Sequence, residues 1–229
     1  MSDPMELFVE NTKEVTGLME IHEQQTGTSP GRRAQNVEIL NKSAIVLLTA
    51  CWEAFIEDAA STGFEFILTE STDISKLPKE ILKRVAKLIK EDKNDIKMWD
   101  LALSGWKQVL RSYKQQMLHS HISFFHTPKA GNVDGLFQAL LDLPDLSSNW
   151  AWQKMTSDGA KKRLEEYIQL RGSIAHRVKT SNRVYKQGVS EYAEFINRLA
   201  CRTANVVRIH VHSLVNKYPW EKYTYGKFS

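Results

Sequence analysis

Ser43-Ala44-Ile45-Val46-Leu47-Leu48-Thr49-Ala50-Cys51-Trp52-Glu53-Ala54-Phe55-Ile56-Glu57-Asp58 carries apolar side chains at almost every angle around a helix axis. Leu40, Ala44, Leu47, Leu48, Cys51, Phe55 and Ala59 recur at spacings of three and four, and further apolar residues fill the circumference between Ala44 and Phe55. A helix that is apolar all round has to be surrounded by other elements. The spacing therefore predicts a buried central helix over residues 34–69. Its most apolar part, residues 43–52, lies between Lys42 and Glu53 and is about half the length of a membrane span, so no transmembrane helix is expected.

The flanking sequence reads as further helices. Asp3-Pro4 pairs a capping residue with a proline at the first helical position and opens a helix to about residue 25, broken at Gly27-Thr28-Ser29-Pro30-Gly31. Residues 73–77 read as a loop, Pro78 opens a short amphipathic helix to Ile89, and the charged residues 90–95 form a turn. Trp99, Leu103, Trp106, Leu110, Tyr113 and Met117 predict one helix over residues 96–118 with this stripe packed in the core. A loop is expected over 119–132, then a short helix through Val133, Leu136, Phe137, Leu140 and Leu141 that ends at Pro144. Trp150-Ala151-Trp152 is expected to plug an edge of the core. Thr156 begins a helix with Leu164, Ile168, Arg171 and Ala175 on one line, ended by Ser181 and Asn182. Ser190 is expected to cap a last helix to about Tyr218, leaving Trp220, Tyr223, Tyr225 and Phe228 to dock on the body or on a partner.

No segment alternates like a strand and no fixed repeat is visible. The expected fold is all-α: an antiparallel helical bundle in one domain over residues 1–229, core about 35–215, with an additional amino-terminal helix and inserted short helices. Forty-two per cent hydrophobic residues in a chain of 229 suffice for such a core. Cys51 and Cys201 sit in apolar helical patterns, as reduced core thiols do, and the acidic amino terminus lacks a signal-like apolar run. A cytoplasmic location is expected. The formal charge is +4, yet residues 154–186 carry nine lysines and arginines against three acids, leaving the remainder net negative by two. Such a local excess attracts a polyanion; a solvated basic helix face is the plainer explanation.

Phosphate loops with lysine, His-Glu-x-x-His helices, paired Cys-x-x-Cys and nucleophile elbows are missing from the sequence. His119, His121 and His126 lack a nearby carboxylate, and His210 and His212 lie about 200° apart on a helix, so no metal or cofactor is expected at either group. What remains is Arg171-Gly172-Ser173-Ile174-Ala175-His176. A permanently charged planar guanidinium suits phosphate, and an imidazole gives or takes a proton near neutral pH.

Three stretches, the one quoted first, Gly131-Asn132-Val133-Asp134-Gly135-Leu136-Phe137, and Leu170-Arg171-Gly172-Ser173-Ile174-Ala175-His176-Arg177, give a resemblance to the HEPN superfamily of helical ribonucleases and RNA-binding proteins. The chain is most similar to its RiboL-PSP-HEPN branch. There a Trp-Glu-Ala type helix precedes, by a hundred residues or more, an Arg-x(4 to 6)-His motif at the end of a later helix. The resemblance implies that Arg171 and His176 are catalytic, that the site assembles between two copies of the chain, and that RNA is cut without metal. Five residues advance about 500°, so one regular helix holds the pair some 140° apart; apposing two helix ends across a two-fold axis, or unwinding one end, would bring them together. Glu53 is expected to orient Arg171, and Ser173, Arg177 and Lys179 to hold RNA. A toxin or antiphage role with an antitoxin or defence-system partner follows from the resemblance, and no membrane partner does. Gly172 stands where the family often has Asn, Asp or His, and Val178 where members silenced by a nucleotidyltransferase antitoxin have tyrosine, so that regulation is not expected. Two other readings stay open: a non-catalytic HEPN module that binds RNA or a protein, and a helical scaffold.

Overall fold

The computed structural model describes residues 3–26, 37–92, 94–103, 105–124, 127–177 and 183–226, with the backbone alone at residues 76, 95, 97, 98, 121–124 and 177. These residues form α1 (Pro4–Thr26), α2 (Glu38–Glu70), α3 (Lys79–Glu91), α4 (Gly105–Phe124), α5 (Ala130–Leu141), α6 (Ser157–Arg177) and α7 (Lys186–Val215), with short 3₁₀ turns between some of them and no strand. The fold is all-α, as expected.

The helix directions follow from a few long-range contacts. The Asn41 amide donates to the Val184 carbonyl, Thr49 meets Tyr192, and a side chain added at Gly63 would press on Val207 and Leu141. These pairs advance together, so α2 and α7 lie side by side and parallel. Trp52 donates from its indole to the Pro128 carbonyl, just before α5, and Leu141 ends that helix at Gly63, so α5 runs the same way. Against them runs α4, with Lys107 on the Thr69 carbonyl and Arg111 and Lys114 on Glu65. α6 is also reversed: Trp152 just ahead of it meets Phe195, while Tyr167 stacks on Tyr192. α1 begins beside Tyr223, which is tied to Asn205, and ends where Glu23 binds Lys186 at the start of α7. Hence α2, α5 and α7 point one way and α1, α4 and α6 the other.

α2 is the core helix. By length and composition it could cross a membrane, but its apolar residues pack against α1, α4, α5, α6 and α7. Trp52, Phe55, Ile56, Ala59 and Ala60 are all buried, as is Cys51, and Cys51 and Cys201 are free thiols. Trp150 lies deeper than an edge plug. It is fully buried, meets the Trp52 ring edge-to-face at 5.8 Å, and donates to Thr203 at 2.9 Å. Its polar N–H is satisfied, so the large ring can be buried without penalty. The tail docks on the body: the Trp220 indole donates to the Ala204 carbonyl and the Tyr223 hydroxyl to Asp3. Phe228 lies outside the described residues.

Several boundaries differ from expectation. The helix predicted over 96–118 is two elements: a 3₁₀ turn over Asp95–Leu101, then α4. Leu103 takes a left-handed φ of 54°, and a Cβ at Gly105 would collide with the Asp100 carbonyl oxygen, so the chain doubles back there. Trp99 and Leu103 are consequently 78% and 98% exposed, whereas Trp106, Leu110 and Tyr113 pack inside. The stripe was one helical period interrupted by a turn. α4 continues to Phe124, so the loop expected from residue 119 is largely helix. Ile74–Lys76 is a 3₁₀ turn, for which Asp73 accepts the Ser75 N–H. Ser190 caps nothing: α7 begins at Lys186, and the Ser190 hydroxyl donates back to the Lys186 carbonyl. Asn216, left-handed, ends α7 at Val215.

Candidate active site at the end of the sixth helix

α6 starts where the Thr156 hydroxyl accepts the Gly159 N–H, with Asp158 in the positively polarised first turn. Leu164, Ile168 and Ile174 are buried along its inner face. The line they begin then leaves the core: Arg171 is half-buried, while Ala175 and His176 are exposed. The helix is regular through Arg177. Arg171 and His176 therefore stand about 140° apart around its axis and do not meet on one face of the protomer. No unwinding brings them together within the described residues.

One turn before Arg171, α6 contributes to an aromatic and hydroxyl cluster. Tyr167, one turn earlier on α6, stacks on Tyr192 with ring centroids 3.8 Å apart. The Tyr192 and Thr49 hydroxyls are 2.9 Å apart, and because Thr49 donates to the Ile45 carbonyl, the Tyr192 hydroxyl is the donor between them. Burial pushes the Tyr192 phenol far above its ordinary range, with the Thr49 hydrogen bond and the Arg171 charge opposing it. Tyr192 thus senses the Arg171 guanidinium. Sequence reading missed this residue, because its contacts with Thr49 and Tyr167 join helices distant in the chain.

The remaining expected residues divide. Glu53 lies one turn beyond Thr49 on α2 and is half-buried. Glu57 is half-buried, and its carboxyl is raised first by burial and then by the charges of Glu53 and Asp58. Asp58 is half-buried too, and burial raises its carboxyl as well. The Ser173 hydroxyl is turned back on its own helix, donating to the carbonyls of Gln169 and Leu170. The Arg177 side chain and all of Lys179 lie outside the described residues.

Because α6 is antiparallel to α2 and α7, its carboxyl end, with Arg171 and His176, lies at the end of the bundle where α2 and α7 begin. Helix amino termini carry partial positive charge and favour an anion nearby. Arg183 and Lys186 add cations there, held by Glu38 at 3.6 Å and by Glu23. Arg163 lies over the rings of Tyr167 and Phe195, at 5.8 and 5.4 Å from their centroids. The basic excess read from the sequence is thus partly spent in internal pairs and partly displayed around this end.

Of the histidines considered for a metal, His126 and the His121 side chain lie outside the described residues. His210 lies 2.7 Å from the Leu141 carbonyl and His212 stacks on Tyr218. No group of three or more potential metal-ligating side chains occurs among the described residues.

A family model described as RiboL-PSP-HEPN matches residues 8–208. That span begins inside α1, earlier than the resemblance over residues 35–215, so α1 is part of the matched unit. No curated protein and no solved structure matches the chain.

Proposed function

The chain belongs to the RiboL-PSP-HEPN family, a HEPN-type domain associated with RNA chemistry, and from that premise we propose that it is a metal-independent endoribonuclease. The observation that carries the proposal is the placement of Arg171 and His176 in the last two turns of α6, at the bundle end ringed by cations and two helix amino termini. An RNA 2′-hydroxyl attacks the neighbouring phosphorus, the 5′-oxygen leaves, and the products are a 2′,3′-cyclic phosphate and a 5′-hydroxyl. His176 moves the proton as general base or acid, and Arg171 stabilises the charge growing on the phosphoryl oxygens. DNA, which lacks the nucleophile, is not cut.

The 140° between the two side chains calls for a second copy. In a two-fold dimer the partner's α6 supplies the complementary group, and symmetry completes both half-sites. Tyr167, stacked on Tyr192, stiffens the turn of α6 that precedes Arg171. Glu53 biases the same guanidinium electrostatically from the neighbouring helix. With the Ser173 proton spent on its own helix, Arg177 and Lys179 carry the RNA backbone. A cytoplasmic toxin or antiphage effector, restrained by an antitoxin or defence-system partner, is the biological role we attach to this chemistry.

The test is purified protein incubated with RNA in excess chelator. Chelator-resistant cutting with cyclic-phosphate ends, reduced by about 10²-fold or more in His176→Ala, supports the proposal. RNA binding with no cutting would instead identify a non-catalytic RNA-binding module.

A further inference from the structure

A cavity of about 390 Å³ opens beside the candidate site, lined among others by Ile45, Leu170, Val184, Tyr185, Gln187 and Glu191. Leu170 directly precedes Arg171. Tyr167, also in the wall, is stacked on the Tyr192 that senses the Arg171 charge. The cavity and the proposed cutting position thus share a wall, and its volume falls in the range of small-molecule clefts.

Its chemistry is divided. Ile45, Leu170 and Val184 give an apolar floor. Tyr185 stands at the mouth, 64% exposed, with the Arg183 guanidinium 5.9 Å from its ring centre. Glu38 at the start of α2 holds that guanidinium at 3.6 Å, which limits its wandering. An aromatic ring displayed to solvent beside a planar cation is a surface on which a flat ring can stack. At the far edge the Gln187 amide donates to Glu191 at 2.9 Å, so the Gln187 carbonyl oxygen and the second Glu191 oxygen are left as acceptors. Arg163 approaches that second oxygen no closer than 3.7 Å.

We infer that this cavity is a nucleobase subsite, holding the base next to the scissile phosphate between the Tyr185 ring and the apolar floor, with its edge read by Gln187 and Glu191. The inference rests on the ribonuclease reading for the position of that phosphate. Unpaired bases of RNA are recognised by stacking on aromatic and arginine planes and by hydrogen bonds to their exposed edges. An edge made of acceptors selects bases that present donors. Guanine offers N1–H and N2–H₂ side by side to the two acceptors, adenine and cytosine offer one amino group, and uracil a single ring N–H. The expected order is guanine first and uracil last.

The experiment uses the full chain and fluorescein-labelled 2′-O-methyl hexanucleotides, which bind but cannot be cut, with each base in turn placed in an abasic background. Guanine should bind about tenfold tighter than uracil. Tyr185→Ala should weaken guanine binding on the order of tenfold while Tyr185→Trp retains it, and Glu191→Gln should bring guanine and uracil together. Tyr185 is exposed, so matching thermal melts are expected and separate lost stacking from lost folding. Unchanged binding in Tyr185→Ala, or no base-dependent binding by the wild-type chain, overturns the subsite. Cleavage of ordinary RNA distinguishes the two readings. Base-selective binding without cutting leaves the subsite standing and removes the nuclease; cutting whose base preference is indifferent to both substitutions does the reverse.

Discussion

The hydroxyls of Tyr192 and Thr49 meet at 2.9 Å across 143 residues of chain, and the ring behind that contact stacks on Tyr167, one turn before Arg171 on α6. One buried bond thus joins the core helix α2, the last helix α7 and the end of α6 that carries the candidate chemistry.

Tyr192→Phe should keep the ring stacked on Tyr167 and delete only the hydroxyl. Thr49 still donates to Ile45, so the loss is one buried hydrogen bond, about 1 kcal/mol, and a fall in Tm of roughly 2–4 °C. Calorimetry measures it. A larger fall would mean that the ring itself had shifted.

A site shared between protomers can be rebuilt from two inactive chains. Arg171→Ala and His176→Ala should each be inactive alone, and co-refolding them should restore cutting through heterodimers that hold one intact arginine and one intact histidine. Continued inactivity of the mixture, with dimers present by light scattering, would argue for a site complete within one chain.

Gly172 lies within α6, and a Cβ added there meets nothing within 4 Å. Gly172→Ala should therefore gain helix propensity, about 1 kcal/mol, without strain. The same room admits Gly172→Asn, the residue type common in the family at this position. If a polar neighbour supports the motif arginine, cutting should rise in Gly172→Asn and not in Gly172→Ala, measured as initial rates on one RNA.

Burial raises the Glu57 carboxyl, with the charges of Glu53 and Asp58 adding to the effect. A raised folded-state value means that the folded protein holds this proton more tightly than the unfolded chain does. The penalty is absent below the unfolded value and grows as pH rises through the folded one. Glu57→Gln should thus raise Tm at pH 7, and the gain should shrink toward zero near pH 4. A gain independent of pH would assign it to packing.

Glu65 behaves oppositely. Burial alone would raise its carboxyl, but hydrogen bonds and charge from Arg111 and Lys114 outweigh burial and hold it below its ordinary value. Its contribution to stability is full above the unfolded value and is lost as pH falls through the folded one. Glu65→Gln should lower Tm at pH 7 and change it little at pH 3.

The elements that the sequence displays correctly are those whose periodicity is uninterrupted. α1, α2, α3 and α5 fall close to their expected bounds, because the apolar spacing and the Asp3-Pro4 and Pro78 starts are local signals. Trp99 and Leu103 were misassigned because a helical spacing of residues does not reveal a left-handed turn at Leu103 or the return of the chain onto Gly105. Ser190 misled for a related reason. Serine inside a helix can donate to the carbonyl four residues back, so its presence alone marks no end.

Sequence by itself determined the all-helical class and the buried central helix, since each is set by residue type and spacing along a few turns, and through its family resemblance it pointed to Arg171 and His176 as candidates. Only the tertiary structure decided that α2 and α7 run parallel, that Tyr192 stacks on Tyr167 one turn before Arg171, and that a cavity opens between Leu170 and Tyr185. Those relations depend on how helices distant in the chain pack, and packing is chosen by the shape and burial of whole surfaces rather than by any local run of residues.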